Sequence, residues 1–144
     1  MTKSAPLAPP EGVLEAAVYV DDLDAAERFY HGLVGLEVVT RHDPRHVFFR
    51  CGETIVLAFV ADETKVPPGS GKLPVPPHGA VGPGHICFRV PGEALDGWAA
   101  RLKAADIEIE ADFHWPNGAR SIYLRDPAGN SVEFAEAKLW GRAA

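Results

Sequence analysis

The sequence predicts an α+β protein in which two βαβββ modules pair to form a curved eight-stranded cup. Three observations carry this. One pattern occurs twice: Glu15-Ala16-Ala17-Val18-Tyr19-Val20 precedes Asp21-Asp22-Leu23 and a helical stretch, and His85-Ile86-Cys87-Phe88-Arg89-Val90 precedes Pro91-Gly92-Glu93 and another. Three short alternating runs follow each helical stretch. Between the copies lies a segment too rich in proline for regular structure. A single module cannot bury both faces of four strands, so the two must pair, with helices over the outer face.

The first module is expected over residues 12–61, behind a flexible lead-in of residues 1–11. Residues 13–20 alternate as a strand, with Glu15, Ala17 and Tyr19 on one face. Asp21 or Asp22 caps a helix whose apolar residues Leu23, Ala26, Phe29, Tyr30 and Leu33 recur at three- and four-residue steps, and Gly32 and Gly35 supply its stop. Strands follow at 36–41, 46–51 and 54–60, the last two joined at Cys51-Gly52-Glu53. Residues 62–83 contain Pro67, Pro68, Pro74, Pro76, Pro77 and Pro83. They are expected to be irregular and mobile, a linker or lid with His78 exposed to solvent. The second module, residues 84–137, repeats the order: a strand at 84–90, a helix at 93–105, and strands at 107–113, 119–125 and 131–136. Asp126-Pro127-Ala128-Gly129-Asn130 makes its last turn. Residues 138–144 read as a tail, so one domain spans 12–137.

At 144 residues the chain has the size of one compact domain, and its apolar fraction of 47% is ordinary for a globular protein. No run of apolar residues has the length of a membrane span, and the first ten residues lack the apolar core of a secretory signal. Fourteen basic against twenty acidic residues give a net charge of −6 without a basic run, which argues against nucleic acid or an anionic membrane as partner. Cys51 and Cys87 have neither disulfide nor zinc-knuckle spacing, so a cytoplasmic protein with reduced thiols is expected.

Period-two alternation sorts the polar residues by face. In the last strand Val132 and Phe134 face the helices, which leaves Glu133 on the concave side. Ile86, Phe88 and Val90 do the same for His85, Cys87 and Arg89. Glu15 falls on that side of the first strand. Glu15, His85 and Glu133 form an O,N,O set suited to Mn²⁺, Ni²⁺, Fe²⁺, Co²⁺ or Zn²⁺, with positions left open for water and substrate. Alone, each residue reads more simply as a solvated strand end or a structural histidine; their coincidence on one face favours a metal. His46, Phe48 and Arg50 correspond in the repeat to Ser121, Tyr123 and Arg125. All should face the cup, where His46, Phe48, Arg50 and Arg125 would bind a small anionic or aromatic ligand. Trp115 and His114 could approach from a turn. Cys87 has no evident base beside it and does not read as a nucleophile.

Several stretches together resemble the vicinal oxygen chelate superfamily, which includes glyoxalase I, fosfomycin-resistance proteins, extradiol dioxygenases, methylmalonyl-CoA epimerase and metal-free bleomycin-resistance proteins. They are Val18 to Tyr30, Gly35-Leu36-Glu37, Gly84-His85-Ile86-Cys87-Phe88 and Tyr123 to Glu133. The last, an Arg-Asp-Pro-x-Gly-Asn turn leading to a strand Glu, is the most specific. The resemblance implies the glyoxalase/bleomycin resistance/dihydroxybiphenyl dioxygenase fold. It also implies metal ligation by His85 and Glu133 and a homodimer, whose metal sites in several members are shared between subunits. Glu15 stands where most members carry His, and Leu57 falls near the fourth position, which is Glu or Gln in glyoxalase I. Leu cannot ligate or accept a proton, so the two-carboxylate proton shuttle of glyoxalase I is not expected.

The implied chemistry is chelation of vicinal substrate oxygens by a Lewis-acidic ion, with Glu133 and Tyr123 as candidate catalytic residues and His46 as a further base. A metal-dependent lyase, isomerase or transferase of glyoxalase or fosfomycin-resistance type fits best. A ring-cleaving dioxygenase fits less well, because a second carboxylate departs from the two-His iron triad. A metal-free sequestering protein of bleomycin-resistance type is the other alternative.

Overall fold

The computed structural model describes residues 6–141, and within them the α+β architecture is two βαβββ modules. The first contains β1 (Glu15–Tyr19), α1 (Leu23–Glu27), β2 (Glu37–His42), β3 (His46–Cys51) and β4 (Thr54–Phe59). A short helix α2 (Ala61–Thr64) follows. The second contains β5 (His85–Arg89), α3 (Leu95–Ala104), β6 (Ala111–His114), β7 (Arg120–Arg125) and β8 (Ser131–Ala135).

The two sheets have the same topology, β1-β4-β3-β2 and β5-β8-β7-β6, with the first pair parallel in each and the others antiparallel. Their registers coincide as well. Glu15 pairs with Ile55 as His85 pairs with Ser131, and Ala17 pairs with Leu57 as Cys87 pairs with Glu133. Within one chain the strands form two four-stranded sheets, not a single eight-stranded ladder. The helices supply the reason. Val18, Ala26, Phe29 and Tyr30 share one buried core with Phe88, Leu95, Leu102 and Phe134, so the modules meet through side chains beneath the sheets.

The turn after β7 fastens this junction. Asp126 is buried; its Oδ1 accepts from the backbone N–H of Ala128 (3.0 Å) and Asn130 (2.8 Å), and its Oδ2 from the Tyr30 hydroxyl (2.7 Å) and the Asn130 amide (2.9 Å). The same amide reaches the Tyr19 carbonyl at 2.8 Å, while Asn130 Oδ1 accepts from Gly84 N–H at 2.8 Å. Gly129 takes φ +90°, a conformation open to glycine at little cost. Burial and the Asp126 charge together push the Tyr30 phenol far above its ordinary range.

Several elements differ from the sequence expectation. Asp22 is the cap, accepting from Asp24 and Ala25 N–H, but the helix does not stop at Gly32: it widens into a π-helix over Arg28–Leu33 and ends at Gly35, φ +89°. The strand expected at 107–113 begins only at Ala111. Ile107 and Ile109 pack against the core as a strand would, but Asp106 at φ +59° and the bond from Ile107 N–H to the Leu102 carbonyl hold the chain in a helix-terminating turn. The proline-rich segment opens on α2. His78, expected in solvent, is half-buried: it hydrogen-bonds the Tyr19 hydroxyl at 2.7 Å through Nδ1 and packs edge-on against Phe59. Residues 138–141 are not a tail, since a 3₁₀ turn over Ala137–Trp140 packs back on the second module. Of the lead-in, residues 1–5 lie outside the described residues, and 6–14 are exposed without regular structure. No helix of the described residues is long and apolar enough to cross a membrane.

Candidate functional site

Strand alternation places Glu133 on the face away from the helices, yet the side chain is buried, with β8 lying between β5 and β7 inside its sheet. The two carboxylate oxygens meet different neighbours. Oε2 accepts a 2.6 Å hydrogen bond from the Ser121 hydroxyl, which in turn accepts from the Trp115 indole N–H at 2.8 Å. Oε1 lies 3.3 Å from His85 Nε2. On the other side of that ring Nδ1 sits 3.2 Å from the Ser131 carbonyl oxygen and 3.1 Å from its hydroxyl. The tautomer decides what this contact is: with Nδ1 accepting from the Ser131 hydroxyl, Nε2–H donates to Glu133 Oε1; with Nδ1–H donating to the carbonyl, Nε2 turns its lone pair toward Oε1, and two Lewis bases face each other with a place for a cation between them. An imidazole whose far nitrogen is held by a carbonyl is the usual form of a histidine metal ligand, so this pair fits a divalent ion.

The pair floors an open hollow of about 700 Å³ lined by His85, Cys87, Tyr123 and Glu133 below, and by Trp115, Pro116, Asn117, Leu139 and Trp140 around the rim. Desolvation, then the neighbouring Glu133 carboxylate, push the Cys87 thiol and the Tyr123 phenol each up to about 12. Both stay protonated near neutrality: Tyr123 can donate a proton there but not accept one, and Cys87 is no nucleophile.

Glu15 is apart from this group. It is exposed on β1 in the first sheet, and among the described residues no three His, Cys, Asp or Glu side chains are close enough to hold a metal ion. Its pairing with Ile55 makes it the positional counterpart of His85, and Leu57 is that of Glu133. The first module therefore has an apolar residue where the second has its buried carboxylate.

His46, Phe48 and Arg50 share the face of Glu15. His46 stacks on Phe48 with ring centroids 4.0 Å apart, and Arg45 donates to its Nδ1 at 2.8 Å. Partial burial, then Arg45 and His42, hold the His46 imidazole below its ordinary range, so it is neutral at pH 7. Arg50 lies 3.8 Å from Glu37, and Arg125 is bound to Glu110 at 2.8 Å. Of the residues expected to bind substrate, His46 and Phe48 join an aromatic group with Phe59 and His78, while Arg125 is the last residue of β7, an inner strand of the second sheet. None lines the hollow over Glu133. Sequence reading missed Ser121 as the partner of Glu133, as well as Leu139 and Trp140; its pairing of Ser121 with His46 was the one available signal.

The family model for the Glyoxalase/Bleomycin resistance protein/Dioxygenase superfamily matches residues 12–134. The chain belongs to this superfamily. A crystal structure of lactoylglutathione lyase from Agrobacterium tumefaciens superposes on this member with a TM-score of 0.89 and 47% identity, covering 94% of this chain and 100% of that one. A glyoxalase family protein from Enterococcus faecalis (TM-score 0.64, 22% identity, 88% of this chain and 98% of that one) shares the fold. So does the fosfomycin resistance protein FosX from Mesorhizobium loti (0.64, 23%, 94% and 100%). The comparison with curated proteins gave no match.

Proposed function

We propose that this superfamily member is a divalent-metal-dependent enzyme of glyoxalase or fosfomycin-resistance type, a lyase, isomerase or transferase, acting on a small substrate chelated through vicinal oxygens. The observation that carries the reading is the His85–Glu133 pair, with Nε2 and Oε1 facing each other at 3.3 Å and each group held from behind by a serine. The likeness to a lactoylglutathione lyase at 47% identity supports the same class. Glu15, His85 and Glu133 would hold the ion, and the mixed donor set suits Mn²⁺, Ni²⁺, Fe²⁺, Co²⁺ or Zn²⁺. Because Glu15 is apart from the pair within one chain, a second copy of the chain would complete the site across a homodimer.

Bound there, the ion would act as a Lewis acid toward the substrate's vicinal oxygens. The chain's own groups then divide the remaining work. Ser121 occupies Glu133 Oε2, so Oε1 alone faces the reacting end. Tyr123, protonated with its phenol up to about 12, would donate a proton to an oxygen that gains charge. Trp115, Leu139 and Trp140 would keep water from the reacting end. Leu57 in the counterpart position of Glu133 removes the second carboxylate of a symmetric proton shuttle. The first-module face with His46, Phe48 and Arg50 would supply the opposite wall, and Arg125 a further contact.

The separation of Glu15 from the pair also favours a second reading, a metal-free binding protein of bleomycin-resistance type. Calorimetric titration with Mn²⁺, Ni²⁺ and Zn²⁺ decides between them. Glu133→Ala and Glu15→Ala should each lower affinity by at least about tenfold, the lower end of what losses around a ligand produce. No binding by the parent protein, or unchanged binding in both variants, would give the place to the binding protein.

A further inference from the structure

We propose that the proline-rich segment and the β2–β3 turn enclose a second ligand site, one for a small carboxylate with an apolar body. The site is an open hollow of about 590 Å³, where Arg45, Lys72 and Glu63 carry the charge and Val66, Leu73 and Val75 supply apolar surface. None of its lining residues lines the hollow over Glu133, so the proposal stands apart from the function proposed above.

Charge selects an anion. The hairpin of β2 and β3 carries two neighbouring arginines with different surroundings. Arg41 is occupied, with Asp24 at 2.7 Å, Asp43 at 2.8 Å and Glu27 at 3.3 Å. Arg45 is in no ion pair among the described residues. Its Nη1 meets His46 Nδ1 at 2.8 Å, and its guanidinium carbon lies 5.2 Å from the centre of the Phe59 ring. These contacts hold the guanidinium and leave Nη2 and Nε for a ligand. A planar fork of this kind matches a carboxylate. Lys72 is also in no ion pair among the described residues. Glu63 is the one carboxylate on the lining, so two cations stand against one anion. A hollow lined mainly by one sign of charge concentrates the opposite ion.

The apolar body is selected by the segment itself. Its ends are pinned together: His78 N–H donates to the carbonyl of buried Thr64 at 2.9 Å, and the His78 ring holds the Tyr19 hydroxyl. Between these pins Lys72 N–H donates to the Gly69 carbonyl (3.2 Å) and Val75 N–H to the Leu73 carbonyl (2.8 Å). Pro67, Pro68, Pro74, Pro76 and Pro77 restrict the remaining backbone, each by fixing its own φ. Val66, Leu73 and Val75 are nevertheless 53%, 80% and 50% exposed. A loop restrained in this way loses less freedom when a ligand settles on it. Apolar side chains beside unpaired cations fit a ligand whose charged head and apolar tail are joined.

The test uses full-length, chelator-treated protein and three probes: hexanoate, hexan-1-ol and acetate, which offer head and body, body alone, and head alone. Titrations followed by backbone-amide NMR should place the hexanoate shifts at residues 42–45 and 63–76. Hexanoate should bind at least about tenfold more tightly than acetate, the gain from burying about two methylenes. It should bind at least about fivefold more tightly than hexan-1-ol, which has no charge for Arg45. Arg45→Gln should weaken hexanoate at least about tenfold and Lys72→Gln about threefold, while Glu63→Gln should tighten it about twofold. Lys72 and Glu63 are exposed, so their variants test the charge even where Arg45→Gln disturbs the Phe59 ring. Equal binding of hexan-1-ol, shifts confined to the hollow over Glu133, or no saturation by hexanoate at millimolar concentration overturns the proposal. Unchanged affinity in both Lys72→Gln and Glu63→Gln does the same. So does a Val66→Ser, Leu73→Ser protein that keeps hexanoate binding but loses an oligomer on sedimentation, which would assign these side chains to an interface with a second copy. Ion titration is scored separately, since failure to bind metal refutes the metalloenzyme reading alone.

Discussion

Ser121 has no room to be anything but a connector: it is fully buried between the Trp115 indole and Glu133 Oε2. Ser121→Ala should therefore act twice. It orphans the indole N–H and one carboxylate oxygen, at a stability cost of about 1–3 kcal/mol, and it frees Glu133 to rotate, lowering divalent-metal affinity roughly tenfold. Denaturant unfolding and metal titration read the two effects, and unchanged metal affinity would reduce Ser121 to a packing residue. Cys87 offers a second check. With its thiol up to about 12, mapped iodoacetamide alkylation of the metal-free protein at pH 8 should run at least about a hundredfold slower than that of an ordinary cysteine. Glu133→Gln should recover part of that rate, and fast alkylation in the parent would show that the carboxylate does not control the thiol. His85 and Glu133 were legible in the sequence because alternation assigns a face to every strand residue. Ser121 as a connector was not, since a serine inside a strand carries no spacing signal until the β7–β8 register sets it beside Glu133.

Among the elements, β1 and β5 were the most readable, since a strand that opens a repeated unit is recognised by its twin. The run 107–113 was misread because apolar alternation reports which side is buried, not whether a neighbouring strand is present to bond. The proline-rich segment is irregular beyond α2, as expected, but His78 was misread: proline forbids a ladder, yet one imidazole is enough to tie the chain to β1. On β3, His46 gives a pH signature. Its imidazole is held below its ordinary value, so folding favours the neutral ring. That contribution is complete above about pH 6.5, the ordinary value, and is lost as pH falls from there toward the folded value. The urea midpoint should fall between pH 7.5 and pH 5, and fall less in His46→Gln; an equal fall in both proteins would place the acid sensitivity elsewhere. The β7–β8 turn should be the least tolerant of the connections. Asp126→Ala strips partners from Tyr30 and Asn130 and should cost about 3 kcal/mol in denaturant unfolding, whereas a loss near zero would mean the junction relaxes without it.

At the scale of the whole molecule, the doubled register makes Glu15 the image of His85 while the core keeps their two sheets separate in one chain. The paired modules were legible from the repeat. Which strand edges meet was not, because no pattern within a chain says whether a strand edge meets its own second half or another copy's. Subunit mixing separates these. If the site is shared, Glu15→Ala and His85→Ala proteins, each defective alone, should regain tight metal sites when unfolded together and refolded, because a hybrid dimer holds one intact set. No recovery in a mixture shown to contain hybrids would rule out a site shared between subunits.

The bonds of Asp126 and Asn130 have a consequence for what family membership can mean. The turn that makes this lineage recognisable spends its polar atoms on Tyr30, Tyr19 and Gly84, joining the halves of the molecule. The side chains of Asp126 and Asn130 make none of these bonds to His85, Glu133 or Tyr123. Selection on assembly can therefore hold that signature fixed while positions such as Glu15 and Leu57, outside the turn, gain or lose a donor. Proteins sharing this turn inherit a common way of being put together, and their reactions can part company one strand residue at a time.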